Sequence, residues 1–299
     1  MNITLTGATG FIGSALVRQL LDRGHVLHLM GRKPPSSLPS SIKFTTWPSL
    51  QQEPPAEALR DADAVIHLAG EPVAQRWTAE VRQRIRQSRV DGTLNLVRSL
   101  ASLSRPPATL VCASAIGIYG SRGDEILTES SAPGEGFLAE TTAAWERAAD
   151  SAAPLGIRVA KIRTGIVLGK DGGALQKMLP PFRLGLGGPI GSGRQWMSWI
   201  HIEDIVGLFV HALENPSLRG AVNGVAPNPV TNADFTRALG SALRRPAILP
   251  VPAFAVKLMF GEMGDVILGS QRVLPKATEE AGYRFRYPEL GPALVNILR

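Results

Sequence analysis

Three glycines at a regular spacing are the first residues whose types suggest chemistry. The stretch Thr6-Gly-Ala-Thr-Gly-Phe-Ile-Gly13 joins an apolar, strand-like run, Ile3 to Thr6, to an amphipathic stretch, Phe11 to Arg23, whose Leu16, Val17, Leu20 and Leu21 share a face. In such a strand-to-helix turn, Gly7 permits the tight bend, Gly10 lets backbone amides approach a pyrophosphate, and Gly13 lets the helix lie close to the sheet. The helix N-terminus adds a field that favours negative charge, and Phe11 and Ile12 in its first turn become candidate cofactor contacts. The spacing is G-x-x-G-x-x-G, not G-x-G-x-x-G; its placement between strand and helix is what points to a dinucleotide. A second position reads the cofactor type. The next strand ends His28-Leu-Met-Gly-Arg32-Lys33, with no carboxylate for an adenine ribose 2′-hydroxyl and two cations for a 2′-phosphate, so NADP(H) is expected over NAD(H).

These residues need a scaffold, and the hydrophobic patterning supplies one. Strand-like runs at Val26 to Met30, Ile42 to Thr46, Ala64 to Leu68, Thr109 to Ala113 and Arg158 to Ile162 alternate with helical periodicity, the longest from about Ala79 to Leu103 and another near Leu138 to Ala149. This order implies an α/β fold, a Rossmann-like doubly wound parallel sheet with helices on both faces. After Gly165 the pattern loosens. A glycine-rich loop, Gly185 to Gly193, is followed by helices at Glu203 to Leu213 and after Thr231-Asn-Ala-Asp234, a capping pattern in which Thr231 and Asp234 can satisfy backbone donors. Short strands near Ala221 to Val225 and Ile248 to Val251 complete a smaller C-terminal α/β substrate lobe. The expected division is 1–165 for dinucleotide binding, with segments returning from the C-terminal half, and 166–299 mainly for substrate. The Pro34 to Pro39 segment reads as a proline- and serine-rich loop.

Composition narrows the classes. With 299 residues, 44% hydrophobic and 19% charged, the chain can bury a large core, which excludes a disordered or fibrous protein. The single Cys112, in an apolar run, excludes a disulfide framework and suits a reducing, cytoplasmic setting. The first six residues read as a strand and not as a signal peptide. The apolar stretch Val251 to Leu268 is interrupted by Lys257, Glu262 and Asp265, so no membrane partner is expected. The five histidines lack metal-ligand spacing, and no metal is expected. Thirty-two basic against 25 acidic residues leave a net +7, without a lysine-rich tail or a nucleic-acid module. Nucleic acid is therefore not expected as a partner.

With these residues placed, the chain resembles the extended and atypical short-chain dehydrogenase/reductases. The glycine motif, Asp63-Ala-Val-Ile-His-Leu-Ala-Gly70, Val90-Asp-Gly-Thr-Leu-Asn-Leu96, Ser114-Ala-Ile-Gly-Ile-Tyr-Gly120 and Trp199-Ile-His-Ile-Glu-Asp204 carry the likeness along nearly the whole chain. It is most similar to their epimerase-family branch, sometimes labelled cell-division-inhibitor-like. Leu68-Ala-Gly-Glu71, Arg163-Thr-Gly-Ile-Val-Leu-Gly169, the run Pro181 to Gly193 and Asn223-Gly-Val-Ala-Pro227 carry that closer match. The resemblance implies NADP binding and an oxidoreductase or nucleotide-sugar-type epimerase acting on a small, unidentified substrate. It adds Leu68, Ala69, Gly70, Arg89, Gly165 and Ile166 to the cofactor contacts, and implies a homodimer through the long helices.

In typical members of that superfamily a serine positions the substrate, a tyrosine moves the proton, and a lysine four residues on lowers the tyrosine pKa. Ser114 matches the serine. The helix that should carry Tyr-x-x-x-Lys has Thr141 and Trp145 at those two positions, and no tyrosine of the chain has lysine four residues on. Tyr119 and Glu71 are the candidate replacements as acid or base, against bland roles as a pocket wall and a helix cap. The alternative function is a non-catalytic NADP(H)-binding sensor or partner-binding module. Trp196 and Trp199 either line a pocket or pack a core. Arg82, Arg86 and Arg89 share a helical face, with only Arg89 expected at the cofactor. Once Arg32, Lys33, Arg89 and a pocket-loop Arg183 are assigned, the other arginines are expected over a solvated surface.

Overall fold

The computed structural model describes all residues except Ser36, Ser37 and Ser49, so part of the expected Pro34 to Pro39 loop lies outside the described residues. The first half runs β1 (Asn2–Thr6), α1 (Phe11–Asp22), β2 (Val26–Gly31), β3 (Lys43–Thr46), β4 (Ala64–His67), α2 (Ala79–Ala101), β5 (Thr109–Ala115), β6 (Ile126–Leu127), α3 (Phe137–Asp150) and β7 (Arg158–Thr164). The second continues β8 (Ile166–Gly169), α4 (Gly173–Arg183), β9 (Trp196–Met197), β10 (Trp199–His201), α5 (Ile202–Glu214), β11 (Gly220–Gly224), β12 (Val230–Thr231) and α6 (Asn232–Leu243). It ends α7 (Ala253–Phe260), α8 (Met263–Leu268), β13 (Arg272–Val273), α9 (Lys276–Glu280) and α10 (Leu290–Leu298).

Seven strands form one parallel sheet in the order β11-β7-β5-β4-β1-β2-β3. Its strands are apolar on both sides because both faces are covered. Val111 of β5 and Ile66 of β4 point into a core with Leu16 and Leu20 of α1 and Leu208 and Phe209 of α5. Their neighbours Leu110, Cys112 and Val65 point the other way, onto Leu96 and Leu100 of α2 and Trp145 of α3. The period-two alternation thus feeds two cores, as a doubly wound sheet requires. Cys112 is an inert member of the second, its thiol pushed up to about 12 by burial.

Segments of the second half return to the main sheet, and two short strands fall differently from expectation. The strand expected near Ala221 to Val225 in the small lobe is β11, an edge of the main sheet beside β7, and α5 packs on α1. The run expected as a strand at Ile248 to Val251 makes only a single bridge, Ile190 to Val251. The lobe proper is α4, α6 and α10 closed over Trp199, Phe235 and Leu294. Helix α4 was hidden in the sequence by Pro180 and Pro181, which it carries near its C-terminal end. At α6 the Thr231 hydroxyl accepts from the Asp234 amide, whereas the Asp234 carboxylate accepts from Thr231 and caps no amide.

Candidate functional site

Parallel register lines up the strand ends. Thr6 lies level with Met30 of β2 and His67 of β4, His67 with Cys112 of β5, and Ser114 with Arg163 of β7. Segments 7–13, 32–33, 68–70 and 165–166 therefore all leave the sheet along its carboxyl edge, where Ser114 also lies. From β1 the sheet extends to β2 on one side and β4 on the other, so the glycine turn sits at the reversal where α/β sheets bind ligands.

The turn has no room for side chains. Gly7 has φ +76°, and a Cβ there would stand 2.7 Å from the Leu68 carbonyl carbon; a Cβ on Gly13 would stand 2.1 Å from the Gly7 oxygen. Gly7 and Gly13 thus let the turn close against Leu68 and Ala69, whose amides bond the Thr6 carbonyl and Thr6 Oγ1. Gly10 caps α1 without a side-chain bond, and the first turn carries no acid. The donors at this helix end are open to an anion, and the residues fit a pyrophosphate. Ile12 packs on the core and Phe11 lies under the 169–173 loop, within reach of any Cβ added at Gly169, Gly172 or Gly173. Arg32 and Lys33 are exposed and enter none of the ion pairs among the described residues.

Arg89 comes to this edge from α2. Its guanidinium donates to the carbonyls of Glu71 (2.9 Å) and Ile85 (3.2 Å), lies against Gly70, and stands over the Trp145 ring at 5.3 Å. Burial pulls it down to about 10, although the Glu71 charge opposes the shift. Trp145, in the position of the missing lysine, donates from Nε1 to Thr93 Oγ1 at 3.0 Å. Thr141, in the position of the missing tyrosine, is buried and its hydroxyl has no partner. The Glu71 side chain is 23% exposed, its Oε1 accepting from Gln75 at 3.2 Å with Arg84 at 3.6 Å. Segments 7–13 and 68–71, Arg89 and Trp145 are thus joined by direct contacts.

Ser114 and Tyr119 belong to a different assembly. Ser114 is 3% exposed and its hydroxyl donates to Glu146 Oε1 at 2.6 Å. Arg163 grips that carboxylate with Nε (2.8 Å) and Nη2 (2.9 Å), and its Nη1 donates to the Tyr119 hydroxyl at 2.9 Å. Tyr119, 0% exposed, donates in turn to Asn223 Oδ1 at 2.7 Å. Burial opposes ionisation of Glu146, but the Arg163 bonds and charge, with help from Ser114, outweigh it and hold the carboxyl below its usual range. Burial raises the Tyr119 phenol despite the opposing pull of Arg163. The Tyr119 hydroxyl, expected as a candidate acid or base, is committed inside the protein to Arg163 and Asn223. Glu146 and Arg163 were missed as a pair because they lie 17 residues apart; their only sequence signal was Arg163 within a quoted motif.

Gly165 and Ile166 are also committed, since their amides bond the Gly224 and Ser198 carbonyls at 3.1 and 2.9 Å, and a Cβ at Gly165 would stand 2.5 Å from the Ser198 oxygen. They carry the chain from sheet to lobe, and a cofactor could meet them only through groups other than those amides. Arg82, expected on a solvated face, is partly exposed there and pairs with Glu262 at 2.8 Å. Trp199 is core, whereas Trp196 donates to Asp124 and stacks under Arg272. An open groove of about 1240 Å³ shares Thr9, Gly10 and Phe11 with the cradle, then runs along α1 and α5 toward Arg284, away from Glu71 and Ser114.

Comparison with known proteins matches residues 3–223 to the NAD dependent epimerase/dehydratase family and residues 251–297 to a domain of unknown function, DUF1731. A chloroplastic epimerase family protein SDR39U1 homolog from Arabidopsis thaliana is 41% identical over 305 residues, covering 100% of this chain and 87% of its own length. The Bacillus subtilis epimerase family protein YfhF is 38% identical, with coverage of 100% and 98%. Among solved structures, human epimerase family protein SDR39U1 with NADPH superposes with a TM-score of 0.89 at 37% identity, covering 99% of each chain.

Proposed function

Because the chain belongs to the NAD dependent epimerase/dehydratase family, we propose that it is an NADP(H)-dependent oxidoreductase or epimerase of a small, nucleotide-sugar-type substrate, working without the Tyr-x-x-x-Lys pair. The observation that carries this reading is the uncapped glycine turn beside two unpaired cations and no carboxylate. The similar human protein was solved with NADPH, which supports the choice of cofactor. The backbone from Gly7 to Gly13 would hold the pyrophosphate, Arg32 and Lys33 the 2′-phosphate, and Leu68 to Gly70 with Arg89 the side nearest the reaction. When bound, the nicotinamide supplies or accepts a hydride.

The protein's own task is then to orient a substrate hydroxyl or carbonyl and move one proton. Glu71 is the partly exposed carboxylate at this edge, with its main chain fixed by Arg89 and its amide by Ser88. It takes the acid/base role that the phenol fills elsewhere, and Ser114 keeps Glu146 and Arg163 aligned. A reducing, cytoplasmic setting is part of this proposal, on the ground of the single free, buried Cys112. Screening NADPH oxidation against ketones and nucleotide sugars tests the reading: turnover that falls about 10²-fold or more in Glu71→Gln, at unchanged NADPH affinity, supports it. Turnover indifferent to Glu71 removes that residue from the mechanism.

A second reading, a non-catalytic NADP(H) sensor, draws on one observation: the protons of Ser114 and Tyr119 are both held internally. NADPH binding with no turnover across the panel supports it.

A further inference from the structure

The positive excess is concentrated in two stretches. No Asp or Glu occurs from 172 to 202 or from 235 to 261. The seven cations of these segments, Lys177, Arg183, Arg194, Arg237, Arg244, Arg245 and Lys257, equal the chain's whole net charge of +7, so the rest of the chain is balanced. The arginines expected over a solvated surface are thus unequally distributed along the chain.

The fold brings the two segments together. Leu249 donates to the Gly187 carbonyl at 3.1 Å, Val251 to Pro189 at 2.8 Å and Gly191 to Val251 at 2.9 Å. A Cβ on Gly185 would touch the Pro246 ring at 3.5 Å, so the turn after α4 lies beside the 246–249 segment. Helix α7 begins four residues after Leu249, and its Phe254 and Leu258, one turn apart, lie opposite the buried Val256. These segments expose large apolar side chains: Leu184, Phe254 and Leu258 are each 74% exposed and Ile248 76%. Around it, Arg183, Arg244 and Arg245 are exposed and enter none of the ion pairs among the described residues, whereas Arg237 and Lys257 pair with Asp234 and Asp265. Arg244 holds a left-handed backbone, φ 53°, at the end of α6.

A cluster of exposed apolar tips calls for a partner, and the cations say which kind. A nucleic acid would engage the arginines and leave the apolar tips in water. A second copy joined through the same face would bring one set of arginines against another. An anionic bilayer satisfies both features: apolar side chains enter the interface while arginines meet headgroups. We infer that this face of the C-terminal lobe, built by the loop after α4, the 246–251 segment and α7, docks on an anionic lipid surface. This departs from the expectation of no membrane partner, which rested on the lack of a spanning segment; attachment is peripheral, since no helix among the described residues is long and apolar enough to cross a membrane.

Sedimentation with vesicles of phosphatidylcholine plus phosphatidylserine, against phosphatidylcholine alone, tests the inference. The protein should sediment with the mixed vesicles and be released by high salt. Arg244→Asn with Arg245→Gln, Asn being tolerated at the left-handed position, should weaken binding about tenfold or more. Phe254→Ser with Leu258→Ser should weaken it comparably, and both pairs should keep the wild-type thermal unfolding midpoint. Failure to bind the mixed vesicles overturns the inference. So does equal binding by wild type and variants, or a dimer that these same variants dissociate.

Discussion

Arginine serves opposite ends in two regions of this molecule. At the carboxyl edge of the sheet, Arg163 is buried and every group it meets is specified: two bonds to Glu146, one to Tyr119 and one to the Glu129 carbonyl. On the lobe face, Arg244 and Arg245 are exposed beside bare apolar side chains. The first arrangement gives a rigid frame behind the cofactor turn. The second leaves charge and apolar surface available to something outside the chain. Net charge alone does not separate the two; burial and partners do.

The largest way to break this contrast is at Glu146. Glu146→Ala strands the Arg163 guanidinium and should cost about 3–5 kcal/mol in urea unfolding, as expected when one member of a buried pair is removed. A loss near zero would mean that the network is solvated like the lobe face. Protonation gives a second handle. Burial lowers His67 to about 4, so the fold favours its neutral form. That stability is fully present above the unfolded value near 6.5 and drains away as pH falls toward 4, by about 3 kcal/mol in total. The Glu146 carboxyl, also depressed, loses its contribution only below the ordinary carboxylate range near 4.3, so the two windows are separate. Unfolding measured from pH 7 to 4 should show a slope in the wild type that becomes shallower in His67→Gln, the remainder coming from His28 and His201, which burial also lowers.

Smaller effects sharpen the same comparison. Trp145→Phe removes the bond to Thr93 while keeping an aromatic ring under Arg89, and should cost about 1 kcal/mol in urea unfolding. At the bottom of the scale, Ile248→Ser on the lobe face should shift stability by no more than about 0.5 kcal/mol. A larger loss there would show that the face is packed within the chain.

Much of the sheet edge was legible in the sequence because its signals are local. Gly7, Gly10 and Gly13 lie within seven residues, Arg32 and Lys33 directly follow a strand, and parallel strands read as unbroken apolar runs. What escaped was non-local or contrary to propensity. The Ser114, Glu146, Arg163, Tyr119 and Asn223 network draws on five segments, and no spacing rule joins them. Tyr119 looked like a substitute acid because nothing in the sequence reports that its hydroxyl meets Asn223. Gly220–Gly224 looked like part of the small lobe because chain order does not reveal that α5 carries it back to the main sheet. Pro180 and Pro181 concealed α4. The acid-free segments at 172–202 and 235–261 were visible in composition, but only folding showed that they lie side by side.

The central claim is that the carboxyl edge holds a dinucleotide by its 2′-phosphate, and titration of the purified protein with NADPH and with NADH tests it most directly. The account predicts that NADPH binds about tenfold or more tightly than NADH, and that Arg32→Ser with Lys33→Ser brings NADPH down to the NADH level without altering NADH binding. NADH binding equal to or tighter than NADPH in the wild type would contradict it.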